Sequence, residues 1–203
     1  MKSMNFFSDE RKLKKINWEL IEELRSKFEG KIFYRGVPGY EGARKIWNGM
    51  IDKYPSLILR CKTVNDVIES VNFARNHKLK IFIRSGGHNV AGNAISHNGL
   101  IIDLSEMNSV EVDLDKKIAK VSAGATLGDI DKETQKFSLA SPLGLVSETG
   151  VAGLSIRGGF GHLMRKFGLT ADNILSFDLV TYKGNVIKVD EKNYPELYWV
   201  LRG

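Results

Sequence analysis

The chain has 203 residues, of which 42% are hydrophobic and 27% charged, the composition of a folded domain with a buried core. It has no apolar stretch long enough to cross a bilayer and no signal-peptide pattern at its N-terminus, so we expect a cytoplasmic protein without a membrane partner. Residues 1–60 contain 13 Lys and Arg against 8 Asp and Glu and so carry most of the net charge of +6. Because their basic and aromatic residues do not alternate, we expect no nucleic-acid partner.

The first part of the chain has the pattern of helices. Residues 11–15 (Arg-Lys-Leu-Lys-Lys) are interpreted as the solvated face of a helix. Apolar residues recur at helical spacing over 17–28, and Asn17 is a suitable N-cap. We therefore predict an N-terminal helical extension over residues 1–32, and a further helix around 40–53.

Residues 57–104 have the pattern of one α/β unit. A strand over Leu57–Arg60 is followed by Thr63, which caps a predicted helix, and then by strands over 80–84 and 100–104. Ligands of such sheets usually bind at the carboxyl ends of the strands. Cys61 directly follows the first strand, so we expect a small buried core residue there rather than a nucleophile.

A glycine loop follows the second of these strands, with the sequence Arg84-Ser85-Gly86-Gly87-His88-Asn89. Two adjacent glycines allow a tight turn that presents backbone N–H groups to an anion, and Arg84 adds a positive charge that suits phosphate. The loop then holds a pyrophosphate and presents His88 to the rest of a cofactor. A simple Gly-Gly turn with a surface histidine explains the same residues, and both interpretations stay open. The loop does not open a helix, so this is not an ordinary Rossmann site.

The second half of the chain is different in composition. We predict a hairpin around the turn at 115–117, a helix from Thr126 to about Phe137, and a hairpin over 178–189. Between them, residues 142–168 include seven glycines. This number is too high for a regular helix or strand and suits backbone pressed against a flat ligand.

Neither cysteine nor histidine spacing predicts a metal site. Cys61 is the single cysteine, which excludes an internal disulfide. The four histidines form no pair with the spacing of metal ligands, and we expect none to bind a metal: His77, His88, His97 and His162. Of these, His97 lies in a polar stretch and is predicted to be on the surface.

Several motifs in order resemble the berberine bridge enzyme-like FAD-linked oxidases of the vanillyl-alcohol oxidase superfamily. The loop at 84–89, the segment at 122–127 and the glycine-rich run at 150–162 carry the resemblance. Shorter matches are residues 38–40, 43–48, 165–174 and the 179–184 strand and turn. The resemblance covers the chain from about residue 33 to its last residue.

The resemblance implies an α+β fold, a two-lobed PCMH-type FAD-binding domain. A small α/β lobe would span residues 33–104, and a second lobe with a mixed or antiparallel sheet and helices would span 105–203. The second lobe would be C-terminally incomplete, and the family's substrate domain would be absent. No tyrosine here matches the family's catalytic base, so we assign no catalytic residue.

The resemblance also implies the cofactor contacts. The loop would wrap the pyrophosphate of FAD, and His88 would form a covalent bond from its imidazole to the flavin 8α-methyl group; a non-covalent contact or a turn residue are the alternatives. The implied cofactor-binding residues are Arg84, Ser85, Gly86, Gly87, His88, Asn89, Gly124, Thr149, Gly150, Gly153, Leu154, Gly159, Gly161, His162 and Ile187. His162 has packing or capping as its alternative.

Two positions depart from the family pattern. Val146 stands where some members have a second, cysteine-linked attachment, so any covalent link here is single. Arg157 replaces the first of three glycines, and its side chain either points outward or crowds the flavin. Asp172 and Asn173 either bond the cofactor or make local turn contacts.

Three hypotheses for function follow. The first is an FAD-linked oxidase that moves a hydride from a small alcohol, sugar or amine to the flavin, with dioxygen as the acceptor. The second is a truncated or split-gene FAD-binding fragment without independent activity, whose partner is a separately encoded C-terminal half. The third is a nucleotide-binding protein without redox chemistry.

Overall fold

A computed structural model describes residues 3–10 and 12–203 and has the mixed α/β architecture that the sequence predicts. The chain divides into two compact units. Unit 1 contains the residues up to Glu106 together with Val180–Asn185, and unit 2 contains Met107–Leu179 and Val186–Gly203. The lobe boundaries given by the sequence stay a prediction.

The N-terminal segment begins with a hairpin rather than a helix. Strand β1 (Ser3–Phe7) pairs antiparallel with β2 (Leu13–Asn17), and helix α1 (Trp18–Ser26) follows. Phe6 and Ile16 are buried while most of their strand neighbours are not, which is the alternation of a strand with one covered face. Within the predicted helical segment 1–32, the helix is therefore limited to Trp18–Ser26, and a strand begins at Lys31. Lys14 and Lys15 lie on a strand, and Arg11 lies outside the described residues.

A four-stranded sheet forms the centre of unit 1. Its order is β3 (Lys31–Phe33), β4 (Leu57–Arg60), β6 (Leu100–Asp103) and β5 (Ile81–Arg84). The last three strands are parallel to one another, and β3 is an antiparallel edge. The apolar residues of β4 and β6 are all buried, as expected of parallel strands covered on both faces.

Helix α3 (Val64–Asn76) connects β4 to β5 and begins at the predicted cap. The Thr63 side chain accepts the backbone N–H of Asp66, and the Asp66 carboxylate accepts the N–H of Thr63. This reciprocal capping box fixes the start of the helix. The helix can therefore be placed from local sequence.

The predicted helix over 40–53 is wrong in length. Only α2 (Tyr40–Ala43) is helical, and the chain then turns. The side chain of Asn48 accepts the N–H of Met50, and the N–H of Trp47 bonds the carbonyl of Gly87, so neither group is available to a helix. The turn brings this segment beside the glycine loop of the same unit.

Unit 2 contains short elements around a small core. Strands β7 (Val110–Asp113) and β8 (Ile118–Val121) form the predicted hairpin, and α4 (Leu127–Thr134) continues as a 3₁₀ turn to Phe137. The core consists of Leu127, Ile130 and Leu143. The remaining elements of the chain are α5 (Val151–Ser155), α6 (Met164–Phe167), the paired strands β9 (Phe177–Val180) and β10 (Val186–Val189), and α7 (Pro195–Leu201); the last residue of β9 belongs to unit 1. None of the helices described for residues 3–10 and 12–203 is both long and apolar enough to cross a membrane.

Candidate cofactor site

Three charged residues lie side by side at the carboxyl end of the parallel sheet in unit 1. Arg60 and Arg84 are the last residues of the outer two parallel strands, and both are in register with Asp103 on the strand between them. Oδ2 of Asp103 accepts from Arg60 at 2.7 Å and from Arg84 at 2.5 Å. Burial of Asp103 acts to raise the pKa of its carboxyl, but the two guanidinium groups outweigh burial and hold that pKa below its ordinary value.

The side chain of Arg84 is held by acceptors inside unit 1. It is 6% exposed, and its guanidinium donates to the carbonyl oxygens of Ala43 at 2.6 Å and Lys45 at 3.2 Å as well as to Asp103. Because these internal acceptors hold the guanidinium, Arg84 does not present a free charge at the mouth of the loop. It fixes the base of the loop to the sheet and to residues 43–45.

The glycine loop itself has free backbone donors. Gly87 has a φ of +72°, in the left-handed region that favours glycine. Within the described residues, the backbone N–H groups of Gly86, Gly87 and Asn89 have no hydrogen-bond acceptor. Neighbouring N–H groups in such a turn form a concave site for an anion. The loop therefore fits a phosphate group better than a simple turn between strands.

His88 lies on this loop and faces an aromatic ring. Its imidazole stacks on the indole of Trp47, with ring centroids 5.4 Å apart and planes at 22°. His88 is half-buried, whereas 61% of Trp47 is exposed. Residues 43–48 are part of a motif, but spacing along the chain does not show that Trp47 meets a residue 41 positions later.

Two glycines of unit 2 are explained by the packing of the chain on itself. A Cβ at Gly161 would lie 1.8 Å from the carbonyl oxygen of Leu143, and a Cβ at Gly159 would lie 2.6 Å from Oγ1 of Thr170. Gly159 also has a φ of +71°. Contact with a flat ligand is therefore not needed to explain why glycine stands at these two positions.

Gly153 differs from these glycines. It is exposed on α5, and a Cβ there would have no atom within 4 Å. Its neighbour Leu154 packs against the unit 2 core. Open space over a helical glycine leaves room for a ligand surface to approach the backbone closely.

Some of the other residues predicted to contact the cofactor in unit 2 lie next to α5, and others lie elsewhere in the unit. The N–H of Leu127 bonds the carbonyl of Thr149, and the N–H of Val151 bonds the carbonyl of Ala125, so residues 124–127 and 149–151 are joined. Gly124 and Gly150 are buried within these segments. Elsewhere in the unit, His162 is exposed and Ile187 is half-buried on β10.

Several secondary expectations have clear outcomes. Cys61 is buried, and burial raises the pKa of its thiol to about 12, which suits a core residue. His97 is exposed, although it stacks on Tyr54 and accepts its N–H.

Asp172 and Asn173 make local bonds to the backbone of residues 167–169. Arg157 and Val146 are both exposed.

The comparisons with known proteins agree with one another. A family model described as "FAD binding domain" matches residues 55–190. The chain is 41% identical over 175 residues to (R)-6-hydroxynicotine oxidase of Paenarthrobacter nicotinovorans, covering 86% of this chain and 38% of the relative. The structure of BBE-like 1 from Physcomitrella patens matches with a TM-score of 0.85 and 28% identity, covering 91% of this chain and 40% of that one. A chitooligosaccharide oxidase structure matches with a TM-score of 0.84 and 27% identity, covering 91% and 40% of the two chains.

The comparisons also show how much of each relative this chain matches. The chain spans about 40% of the length of the relatives it matches.

Proposed function

The chain belongs to the FAD-binding domain family, and on that premise we propose that it is the FAD-binding part of an oxidoreductase acting on a small alcohol, sugar or amine. FAD is its cofactor, and the predicted resemblance to berberine bridge enzyme-like oxidases is confirmed. Dioxygen is the proposed electron acceptor. The names of the relatives include a hydroxynicotine oxidase and an oligosaccharide oxidase, which supports this range of substrate classes.

The observation that carries the proposal is the set of unpaired N–H groups in the loop after β5. Gly86, Gly87 and Asn89 offer donors at the carboxyl end of a parallel sheet, where α/β proteins bind ligands. We assign to Ser85 through Asn89 the binding of the FAD pyrophosphate. Arg84 acts indirectly, since its buried ion pair with Asp103 holds the loop in place.

We assign His88 as the site of covalent attachment. His88 would hold the cofactor through a C–N bond from an imidazole nitrogen to the carbon of the flavin 8α-methyl group, formed with loss of one hydrogen from each. Dioxygen would take up these two hydrogens and two electrons and leave as hydrogen peroxide. Imidazole is a suitable nucleophile at neutral pH.

In unit 2 we assign contacts with the cofactor to the residues on and around α5. The open face over Gly153 supports a close approach of a flat ring system. The residues assigned are Gly124, Thr149, Gly150, Gly153 and Leu154. Gly159, Gly161, His162 and Ile187 stay in the proposal on the resemblance alone.

Bound FAD supplies the acceptor for the hydride that leaves the substrate carbon. The part played by this chain is to bind and orient the cofactor, and none of its residues is assigned as the base. The small-molecule substrate therefore requires residues from the part of the relatives that this chain does not match. We also propose a cytoplasmic location, with which the single, buried Cys61 is consistent.

A second candidate is an FAD-binding fragment that has no activity until a C-terminal half, separately encoded, joins it. Unit 2 favours this candidate because it exposes many large apolar side chains. The most exposed of them in the second half of the unit are Phe160, Leu175, Tyr194, Trp199 and Val200. Such a surface is what an additional polypeptide would cover.

Anaerobic bleaching of the flavin absorbance separates the two candidates. The purified chain, loaded with FAD, is mixed with a panel of alcohols, sugars and amines in the absence of dioxygen. Bleaching by the chain alone supports an independent oxidase. Bleaching only after addition of the polypeptide encoded downstream supports the split enzyme. Failure to bind FAD, measured by titration against FMN and ADP as controls, contradicts the proposed function itself.

A further inference from the structure

Trp47 is a large aromatic residue that is mostly exposed, yet it is not free to move. One face of its indole lies nearly parallel to the imidazole of His88, at 5.4 Å between ring centroids. With 61% of its surface exposed, Trp47 contributes little to the core of unit 1. Its defined aromatic contact is with the residue that we assign to covalent attachment.

The backbone around Trp47 is tied to the loop that carries His88. The N–H of Trp47 donates to the carbonyl of Gly87 at 3.2 Å, and Nδ2 of Asn48 donates to the carbonyl of Val90 at 2.8 Å. Further along, Nζ of Lys53 donates to the carbonyl of Gly92 at 2.9 Å. These hydrogen bonds fix the backbone that carries the indole relative to the loop that carries His88.

A second imidazole in unit 1 also stacks on an aromatic ring. His97 stacks on Tyr54, with centroids 6.0 Å apart and planes at 17°. There Nδ1 of His97 accepts the backbone N–H of Tyr54, so a ring nitrogen is used to hold the chain. This pair lies outside the glycine loop.

We propose that Trp47 is a positioning residue for His88. The indole face restrains rotation of the imidazole about its side-chain bonds, so that the ring nitrogens stay in a plane parallel to the indole when the C–N bond to the flavin methyl carbon forms. This inference rests on the proposed function, because it concerns the same attachment step. Trp47 acts through His88 and takes no part in the transfer of hydrogens or electrons.

The test compares the rate of attachment with the affinity for the cofactor. The cofactor-free chain is mixed with FAD in air, and flavin that stays in the acid-precipitated pellet is measured over time. Trp47→Leu is expected to slow attachment about two- to tenfold, the range that one aromatic contact provides. Trp47→Phe keeps a ring and should attach at close to the wild-type rate. Trp199→Leu removes another mostly exposed tryptophan, in unit 2, and is the control.

Affinity is measured where no covalent bond can form. In a His88→Ala background, adding Trp47→Leu should leave the dissociation constant for FAD unchanged, because the loop N–H groups are retained. A weakening of affinity that matches the loss of attachment rate would overturn the positioning role. So would a wild-type rate of attachment in Trp47→Leu.

A measurement on the cofactor-free chain tests the contact itself. His88→Ala should change the tryptophan emission of the chain, and this change should be absent in a Trp47→Leu background. No change on His88→Ala would show that the stack does not exist in solution and would overturn the inference. If the wild type binds FAD only reversibly, the inference and the covalent assignment both fail while FAD binding stands. If it takes up no FAD, the proposed function fails and the inference fails with it.

Discussion

The guanidinium of Arg84 lies 2.5 Å from the carboxylate of Asp103, at the carboxyl ends of two neighbouring parallel strands. Arg60 donates to the same carboxylate oxygen from the other side. Because Arg84 also holds the carbonyls of Ala43 and Lys45, this buried ion pair joins the sheet, the glycine loop and the segment that carries Trp47. The position of the candidate phosphate site therefore depends on Asp103.

Asp103→Asn removes the charge that balances two guanidinium groups at a fully buried position. We expect the free energy of unfolding to fall by about 3–5 kcal/mol, the usual cost of leaving one member of a buried ion pair uncompensated. Urea unfolding followed by circular dichroism measures the change. Asp113→Asn, at an exposed ion pair with Lys116, is the control and should have little effect. Equal effects of the two variants would contradict the structural role of Asp103.

The same carboxylate should make stability depend on pH. Although burial opposes it, the pairing with arginine leaves the pKa of Asp103 lower in the folded chain than in the unfolded chain. Such a carboxylate stabilises the fold at pH values above its pKa in the unfolded chain, about 3.9. That stabilisation is lost as the pH falls through its pKa in the folded chain. From about pH 5 downward, the wild type should therefore lose more unfolding free energy than Asp103→Asn. Parallel pH profiles for the two proteins would contradict this account.

Gly87→Ala tests the conformation of the loop. A Cβ at this position has space, with its nearest neighbour at 3.5 Å, but the φ of +72° costs a non-glycine residue about 1–2 kcal/mol. We expect a loss of stability within that range and weaker uptake of FAD, since the backbone must shift the N–H groups. Gly42→Ala, where nothing lies within 4 Å and φ is not positive, should change neither.

Gly161 and Gly153 should respond in opposite ways to alanine. At Gly161 the new methyl group would meet the carbonyl oxygen of Leu143, so we expect a loss of about 1–3 kcal/mol in unfolding free energy. At Gly153 the space is open and the residue is helical, so stability should be unchanged or higher by up to about 1 kcal/mol. Titration with FAD should nevertheless show weaker binding for Gly153→Ala. Unchanged affinity would remove Gly153 from the site.

Local sequence predicts the elements whose signals lie within a few residues. The capping residues Thr63 and Thr126 mark the starts of α3 and α4, and the apolar run Leu57–Leu59 marks a buried parallel strand. The turn between β7 and β8 is found in the same way. The motif order also places His88 and its loop at the carboxyl end of β5.

Long-range contacts decide the features that the sequence does not predict. The helix expected over 40–53 stops at Ala43 because Trp47 bonds Gly87, 40 residues away. The guanidinium of Arg84 is buried because it pairs with Asp103, and position 161 must be glycine because a Cβ there would meet the carbonyl oxygen of Leu143. In each case the partner is distant along the chain, so spacing and composition give no sign of it.

The visible absorption spectrum of the purified chain, taken before and after acid precipitation, shows whether the chain binds FAD and whether His88 is attached to it. With FAD supplied, we expect a yellow protein whose colour stays in the pellet for the wild type and moves to the supernatant for His88→Ala. Colour retained in the His88→Ala pellet would contradict the assignment of His88. A wild-type chain that stays colourless after incubation with FAD would contradict the proposal that this chain binds the cofactor.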